Sequence, residues 1–375
     1  MKKLTGGILL IGAPENNADI RYATGFAAPD PILYLKAGRK AWVVVPVLEY
    51  ARAVKTIRTA RVICSADLKT KPSVKSRLGA LALALCRLAR VRRVSVPAGF
   101  ALGIARALEA EGIRVEALND AVFPEREIKS ASETRNIEQM QAAAALAMRA
   151  AERMLSGADV DARGVLRRNG RILTSELVRR EIHRVLLGRD SMGFGTIVAG
   201  GRASADPHGV GSGALRAHEP IVIDIFPRSF EHGYFGDLTR TFVKGEAPAR
   251  LAKMIRAVRA ARKAALAAIR PGRACSAVHA AAAAELERRG YVTRREAGRV
   301  PEGFIHSTGH GVGLEIHEGP SLSPLSKARL RVGHVVTVEP GLYYPDIGGV
   351  RIEDTVAVTR SGFRILGARR SRRKT

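Results

Sequence analysis

Cysteine is scarce in this chain: Cys64, Cys86 and Cys275 are three, an odd number at wide spacing, so neither a disulfide framework nor a Cys-x-x-Cys metal site is written here. Aromatic residues make up only 5%, with one tryptophan, and they do not interleave with the basic residues, which excludes a base-stacking surface for single-stranded nucleic acid. No apolar run approaches the ~18 residues that would cross a bilayer. The run Ile8 to Ile11 after Lys2 and Lys3 is too short for a signal segment, and Glu15 follows with no small-residue cleavage site. A cytoplasmic location is therefore expected. Acidic residues are also few, 35 against 62 Lys+Arg, leaving a net charge of +27. The bases are dispersed, so the charge reads either as a solvated Arg-rich surface or as an electrostatic footprint for a polyanion. The densest run, Arg369 to Lys374, is expected to give at most weak, salt-sensitive polyanion binding.

The 375 residues suggest about two domains, at roughly 100–200 residues each. Between Gly7 and Asn119, short β-branched runs (Ile8 to Ile11, Leu33 to Leu35, Trp42 to Val47, Val62 to Cys64, Val94 to Val96) alternate with helical stretches such as Ala101 to Glu111. The Lys36-Ala37-Gly38-Arg39-Lys40 turn implies a hairpin and hence a mixed sheet. No phosphate-binding glycine motif follows these runs, so this α/β part shows no catalytic signature. A boundary falls near 119–129. Ser130 and Glu133 then form a capping box that starts a long helix, expected to reach Leu155, with a polar loop over 156–170. Further helices are expected from Thr174 or Ser175, over Pro248 to Ile269 and over Ser276 to Arg289. His183 falls off the apolar face of the first of these and reads as a surface residue. Strand runs at Ile221 to Phe226, Thr239 to Val243, Val335 to Glu339 and Val350 to Val358 complete an α+β region with antiparallel strands.

The chemistry concentrates in that region. Asp224 lies in the apolar run Ile221 to Phe226, where a carboxylate is costly without a cation nearby. A returning strand would present Asp237 beside it, although either acid could instead pair with Arg228 or Arg240. The segment His306 to Glu318 holds three of the nine histidines among Gly309, Gly311 and Gly313, which disfavour a helix and let backbone crowd a ligand. His310 is the best metal ligand there, with His306 and His317 as candidate donors. Glu339 ends a buried run before Pro340. Of the adjacent acids Glu353 and Asp354 only one can face a given site, Glu353 sharing a face with Arg351, and spacing alone does not choose between them. Four carboxylates and an imidazole gathered at one point would repel one another unless cations lay between them.

In this order, Asp224, Asp237-Leu238-Thr239-Arg240-Thr241, Gly309-His310-Gly311-Val312-Gly313, Glu339-Pro340-Gly341 and Arg351-Ile352-Glu353-Asp354 resemble the pita-bread metallopeptidase family that contains methionine aminopeptidase, aminopeptidase P and prolidase. Tyr22-Ala23-Thr24-Gly25-Phe26 and the strand pattern resemble the N-terminal domain of creatinase and prolidase. The resemblance implies a creatinase/prolidase-like domain over 1–122, a pita-bread catalytic domain over 128–368 and a basic tail over 369–375. It implies five metal ligands, Asp224, Asp237, His310, Glu339 and Glu353, holding two divalent ions (Mn, Co, Fe or Zn, with Mn favoured). It further implies hydrolysis of Xaa-Pro bonds by a metal-activated hydroxide, with Glu339 as base, His306 and His317 at the carbonyl, and His208 and Arg351 near the substrate. Relatives with this N-terminal domain are often homodimers. Non-peptidase members of the same fold, a basic RNA- or ribosome-binding protein or a creatinase-like C–N hydrolase, are the alternative. The chain departs from the common pattern at Phe226, where the family usually has glycine, and in the 13-residue step from Asp224 to Asp237, about two longer than usual. It also lacks the arginine that the dipeptidase branch carries after the His-Glu pair; Gly319-Pro320-Ser321 stands there.

Overall fold

A computed structural model of the chain describes residues 6–367, apart from 73 and 296. The basic run at 369–374 lies outside the described residues. The chain divides into two compact units, Met1–Arg126 and Glu127–Thr375.

The N-terminal unit is one mixed sheet with helices on both faces. Its elements are β1 (Gly7–Gly12), α1 (Ala18–Thr24), β2 (Ile32–Ala37), β3 (Lys40–Val45), α2 (Val47–Thr56), β4 (Arg61–Cys64), α3 (Arg77–Leu88), β5 (Arg93–Pro97), α4 (Leu102–Glu109) and β6 (Arg114–Leu118). The strand order is β4-β3-β2-β1-β5-β6. The expected hairpin is the antiparallel β2–β3 pair, which turns at Gly38 with φ of 59°. Alternation sorts the side chains into two cores: Leu9, Leu33, Leu35 and Val44 pack with α3 and α4, while Leu10, Ile32, Tyr34, Val43 and Val45 pack with α1 and α2.

The C-terminal unit starts with α5 (Ala131–Ser156), whose capping box is complete: Ser130 Oγ accepts from the Glu133 N–H and the Glu133 carboxylate accepts from the Ser130 N–H. The segment read as a loop over 156–170 instead contributes to a small sheet of β7 (Asp159–Val160), β8 (Leu166–Arg168) and β9 (Arg171–Ile172). Strands of two or three residues carry too little periodicity to be read from sequence. Then follow α6 (Ser175–Leu187), β10 (Ser191–Gly193), β11 (Ile197–Gly200), β12 (Ile221–Ile225), β13 (Pro227–Ser229), β14 (Leu238–Phe242), α7 (Ala249–Ala268), α8 (Cys275–Arg288), β15 (Val335–Val338), β16 (Gly341–Tyr344), β17 (Gly348–Arg351), β18 (Asp354–Thr359) and β19 (Gly362–Ile365).

Two helix pairs back two groups of strands. Helices α5 and α6 cover Ile221, Ile223, Ile225 and Leu238, and α7 and α8 cover Val336, Val338, Ile352, Val356 and Val358. Period 2 then puts Asp224, Thr239, Thr337, Glu339, Glu353 and Thr355 on the opposite, inward faces. His183 is half-buried rather than a surface residue: its Nε2 lies 3.1 Å from Thr196 Oγ1, and burial lowers its pKa.

Removing the Ser130 hydroxyl leaves the Glu133 amide of the first turn unpartnered. Ser130→Ala is expected to destabilise the C-terminal unit by about 1 kcal/mol, seen as a lower Tm in thermal unfolding; an unchanged Tm would mean that the box contributes nothing.

Candidate metal centre

Strands β12 and β14 pair antiparallel with Asp224 opposite Thr239 and Ile225 opposite Leu238. This register brings Asp237, just before β14, close to Asp224. Between them β13 leaves the hairpin to pair with β10, which accommodates the long step from 224 to 237. Asp224 pairs with Arg351, and Arg240 pairs with Asp354. Carboxylate oxygens of Asp224, Asp237 and Glu353 lie within 4.8 Å of one another. His310 Nε2 is 3.6 Å from Asp237 Oδ2 and 3.2 Å from Glu339 Oε1. The five residues named as candidate ligands therefore converge. Asp354 does not join them; it turns to the helix-covered face and meets Arg240 and Arg262.

Each donor is fixed by neighbours. Gln141, buried on α5, clamps the Asp237 backbone: its Nε2 donates to the Asp237 carbonyl at 2.6 Å and its Oε1 accepts from the Asp237 N–H at 2.7 Å. Thr355 Oγ1 donates to the same carbonyl at 2.9 Å. Thr239 Oγ1 donates to Glu353 Oε2 at 2.9 Å, and Thr337 Oγ1 lies 3.1 Å from Glu339 Oε1. The loop carrying His310 runs so close to its neighbours that a Cβ on Gly309 would sit 2.1 Å from the Thr337 carbonyl oxygen, and one on Gly311 2.1 Å from that of Gly319. Gln141, Thr337 and Thr355 escaped the sequence reading, because a glutamine in an Ala-rich helix and threonines in strands carry no metal-site signature.

The electrostatics are those of an undercompensated acidic cluster. Burial, then the charges of Glu353, Asp224 and Glu339, push the Asp237 carboxyl well above the usual range. Burial, with Glu339 and Asp224, does the same to Glu353. Burial opposes ionisation of Glu339 as well, but His310 bonded to it wins and holds it at about 2. His310 rises correspondingly to about 9, against its own burial. Asp224 Oδ1 and Glu353 Oε1 are buried with no hydrogen-bond partner among the described residues. These orphaned oxygens fit a divalent cation, as does the His310 ring, whose Nδ1 donates to the Gly311 carbonyl at 3.1 Å and so leaves Nε2 as the ligating nitrogen.

The remaining candidates separate by what they already hold. Arg351 is buried; its Nη2 binds Asp224 Oδ2 at 2.7 Å, while Nη1 binds the Tyr343 hydroxyl at 2.8 Å and the Pro207 carbonyl at 3.1 Å. The anion that Arg351 meets is thus Asp224, and Arg351 also lines the cleft that reaches the acidic cluster. His306 Nδ1 faces the Ser307 carbonyl at 2.7 Å and must donate to it; its Nε2, 3.0 Å from the Tyr343 hydroxyl, is then the acceptor. Burial lowers His306 to about 4, so it is neutral. In this arrangement it has no N–H to spare for a carbonyl oxygen. His317 differs: it is exposed and stands edge-on to His310 at 4.3 Å between ring centroids, its pKa lowered by partial desolvation and by His310. It has no hydrogen bond among the described residues. With His208, Phe226, Ile305 and Ile316 it lines a cleft of about 650 Å3 that reaches Asp224, Asp237, His310 and Glu339.

Comparison with known proteins places this geometry in context. The family model described as "Metallopeptidase family M24" matches residues 136–360. The chain is similar to the Xaa-Pro dipeptidase of Pyrococcus furiosus, 36% identical over 179 residues, and to the uncharacterized peptidase YqhT of Bacillus subtilis, 37% identical over 179 residues. Those stretches cover 48% of this chain and 49% and 48% of the two relatives, so the match spans about half the length of the curated relatives. Among solved structures, the prolidase of Pyrococcus horikoshii OT3 superposes with a TM-score of 0.80 at 27% identity, over 98% of this chain and 94% of that one. The Xaa-Pro dipeptidase of Bacillus anthracis gives 0.80 at 25%, over 97% and 93%. The architecture is the α+β pita-bread fold preceded by an α/β unit with a mixed sheet.

Because burial and neighbouring like charge favour the protonated forms of Asp237 and Glu353, and His310 is raised to about 9, adding Mn²⁺ to the chelated protein is expected to release protons. Apparent affinity should rise as pH climbs toward the His310 value of about 9. Calorimetric titrations in buffers of different ionisation enthalpy check this; binding without proton release, or tighter at lower pH, would contradict the charge states given.

Proposed function

The chain belongs to metallopeptidase family M24, and on that premise we propose that it is a metal-dependent peptidase hydrolysing Xaa-Pro bonds, of the aminopeptidase P or prolidase type. The observation that carries this is the convergence of Asp224, Asp237, His310, Glu339 and Glu353, the first four of which line an open cleft. The printed names of the relatives, Xaa-Pro dipeptidase and prolidase, support the substrate class. A donor set of four carboxylates and one imidazole suits two divalent ions, with Mn²⁺ favoured by the excess of oxygen ligands. When bound, such ions would neutralise the carboxylates and lower the pKa of a water from 15.7 toward about 7.

The chain's own residues divide the remaining work. Glu339, held ionised by His310, is placed to accept the proton of the attacking water and hand it to the leaving nitrogen, a tertiary amide nitrogen when the residue is proline. His317, free to turn an N–H into the cleft, is assigned to the developing oxyanion. His208, exposed at the mouth of the same cleft, is assigned to substrate contact. Arg351 and His306 become positioning residues: Arg351 fixes Asp224 and, through the Tyr343 hydroxyl, the His306 ring. Phe226 narrows the cleft beside Gly195, where the ring comes within 3.2 Å of where a Cβ would stand.

A panel of Xaa-Pro dipeptides and longer peptides, assayed before and after chelation and with Mn²⁺ or Co²⁺ restored, tests the proposal. Cleavage that chelation abolishes and metal restores is expected; unchanged activity, or none with metal, would sink it. Glu339→Gln is expected to lower turnover by about 10²–10⁴-fold with the Tm nearly unchanged, and full activity would remove the base assignment. His317→Ala should lower kcat by about 10²-fold or more while metal content holds. Equal loss of both would recast His317 as a ligand.

A further inference from the structure

On the helix-covered face of the strands that carry the acidic cluster lies a second cleft, of about 620 Å3, whose charge is of the opposite sign. Its polar lining is Arg240 from β14 and Arg259, Arg262 and Lys263 from α7, with the hydroxyl-bearing Thr241 beside Arg240. The three from α7 stand at i, i+3 and i+4 and share a helix face, where like charges repel one another. Among the described residues one carboxylate answers them. Asp354 takes Arg240 Nη2 on Oδ1 at 3.0 Å and Arg262 on Oδ2, and its side chain is 6% exposed. Arg259 and Lys263 are exposed and have no carboxylate partner among the described residues, and Arg262 Nε is buried without an acceptor. Arg240 and Arg262 both have their pKa lowered, chiefly by burial. Two dehydrated guanidinium groups, two further cations and one acid leave a surplus of positive charge inside a concavity.

The rest of the lining is apolar: Leu266, Ile352 and, at the rim, the 36%-exposed ring of Phe363. The volume exceeds what an inorganic anion fills, and a concave site with a few converging polar groups on apolar walls is the form a small-molecule site takes. Guanidinium groups match phosphate oxygens in fork geometry, and a lysine adds a mobile point charge. We propose that this cleft binds a phosphate monoester with an apolar, ring-sized body, the phosphate between Arg262, Arg259 and Lys263 and the body against Leu266, Ile352 and Phe363. The site is separate from the acidic cluster and does not rest on the peptidase reading. It meets that cluster in one place: Arg240, which lines the cleft, donates through Nη1 to the carbonyl oxygen of Glu353.

Isothermal titration of the full chain, once loaded with Mn²⁺ and once stripped by chelator, with phenyl phosphate, inorganic phosphate and phenol separates the parts of this proposal. Phenyl phosphate is expected to bind one to one in both forms, at least tenfold more tightly than inorganic phosphate, with no saturable binding of phenol. The Arg259→Ala/Lys263→Ala double variant, which removes two exposed side chains, should weaken phenyl phosphate at least tenfold with an unchanged Tm. Absence of saturable binding to the stripped protein, or unaltered affinity in the double variant, would overturn the site, and the second result would place any bound phosphate at the acidic cluster instead. Equal affinity for phenyl phosphate and inorganic phosphate would overturn the apolar half of the assignment.

Discussion

The structure turns on the repulsion between carboxylates that the fold forces together out of water. Asp237 is 5% and Glu353 1% exposed, and Asp224 stands within reach of both. Two unit charges about 4 Å apart repel by roughly 4 kcal/mol in a medium of effective dielectric about 20, whereas a hydrogen bond returns about 1 kcal/mol net. The bonds from Thr239 and the Asp237 backbone clamp orient these acids without neutralising them. Among the described residues Arg351 is the one guanidinium bonded to a carboxylate of the cluster, and it is spent on Asp224. A protein that keeps such a cluster must hold protons or cations there, and two oxygens without a hydrogen-bond partner among the described residues, Asp224 Oδ1 and Glu353 Oε1, are left for a cation.

The same constraint explains how neighbouring residues of like type take different work. Glu353 and Asp354 are adjacent acids, yet alternation sends one to the inward face with Thr355 and the other to the helix side with Arg240 and Arg262. The three histidines of one short segment diverge in the same way. His310 is pinned through Nδ1 and offers Nε2 to acids, His306 is saturated by Ser307 and Tyr343, and His317 keeps its ring uncommitted. Position along the chain gives each a similar local sequence; packing gives each its protonation and its free atoms.

Much of this was readable from residues because the relevant signals are local. The capping box at Ser130, the Gly38 hairpin, the apolar stripe of α7 and the odd carboxylates in apolar strands each declare themselves within a few positions. Asp224 and the glycine-flanked His310 could be singled out from local sequence, since an acid in a β-branched run or an imidazole among glycines is costly or exposed without a reason, whereas the choice of Glu353 over Asp354 came from the family resemblance and not from spacing. What could not be read depends on partners far along the chain. Gln141 is unremarkable in its helix until Asp237 arrives 96 residues later. Arg351 looked available for an anion because its pairing with Asp224 spans 127 residues. The strands at 159–172 are too short to show a period, and His183 faces away from its own helix's apolar stripe yet meets Thr196, just before β11. Only the folded sheet shows that three basic residues of α7 line a cleft with Arg240.

Anomalous diffraction at the manganese edge, on crystals of the full chain grown with Mn²⁺, addresses the central claim directly. The account predicts two peaks enclosed by Asp224, Asp237, His310, Glu339 and Glu353. No peak there under saturating metal, or manganese bound only elsewhere, would contradict it.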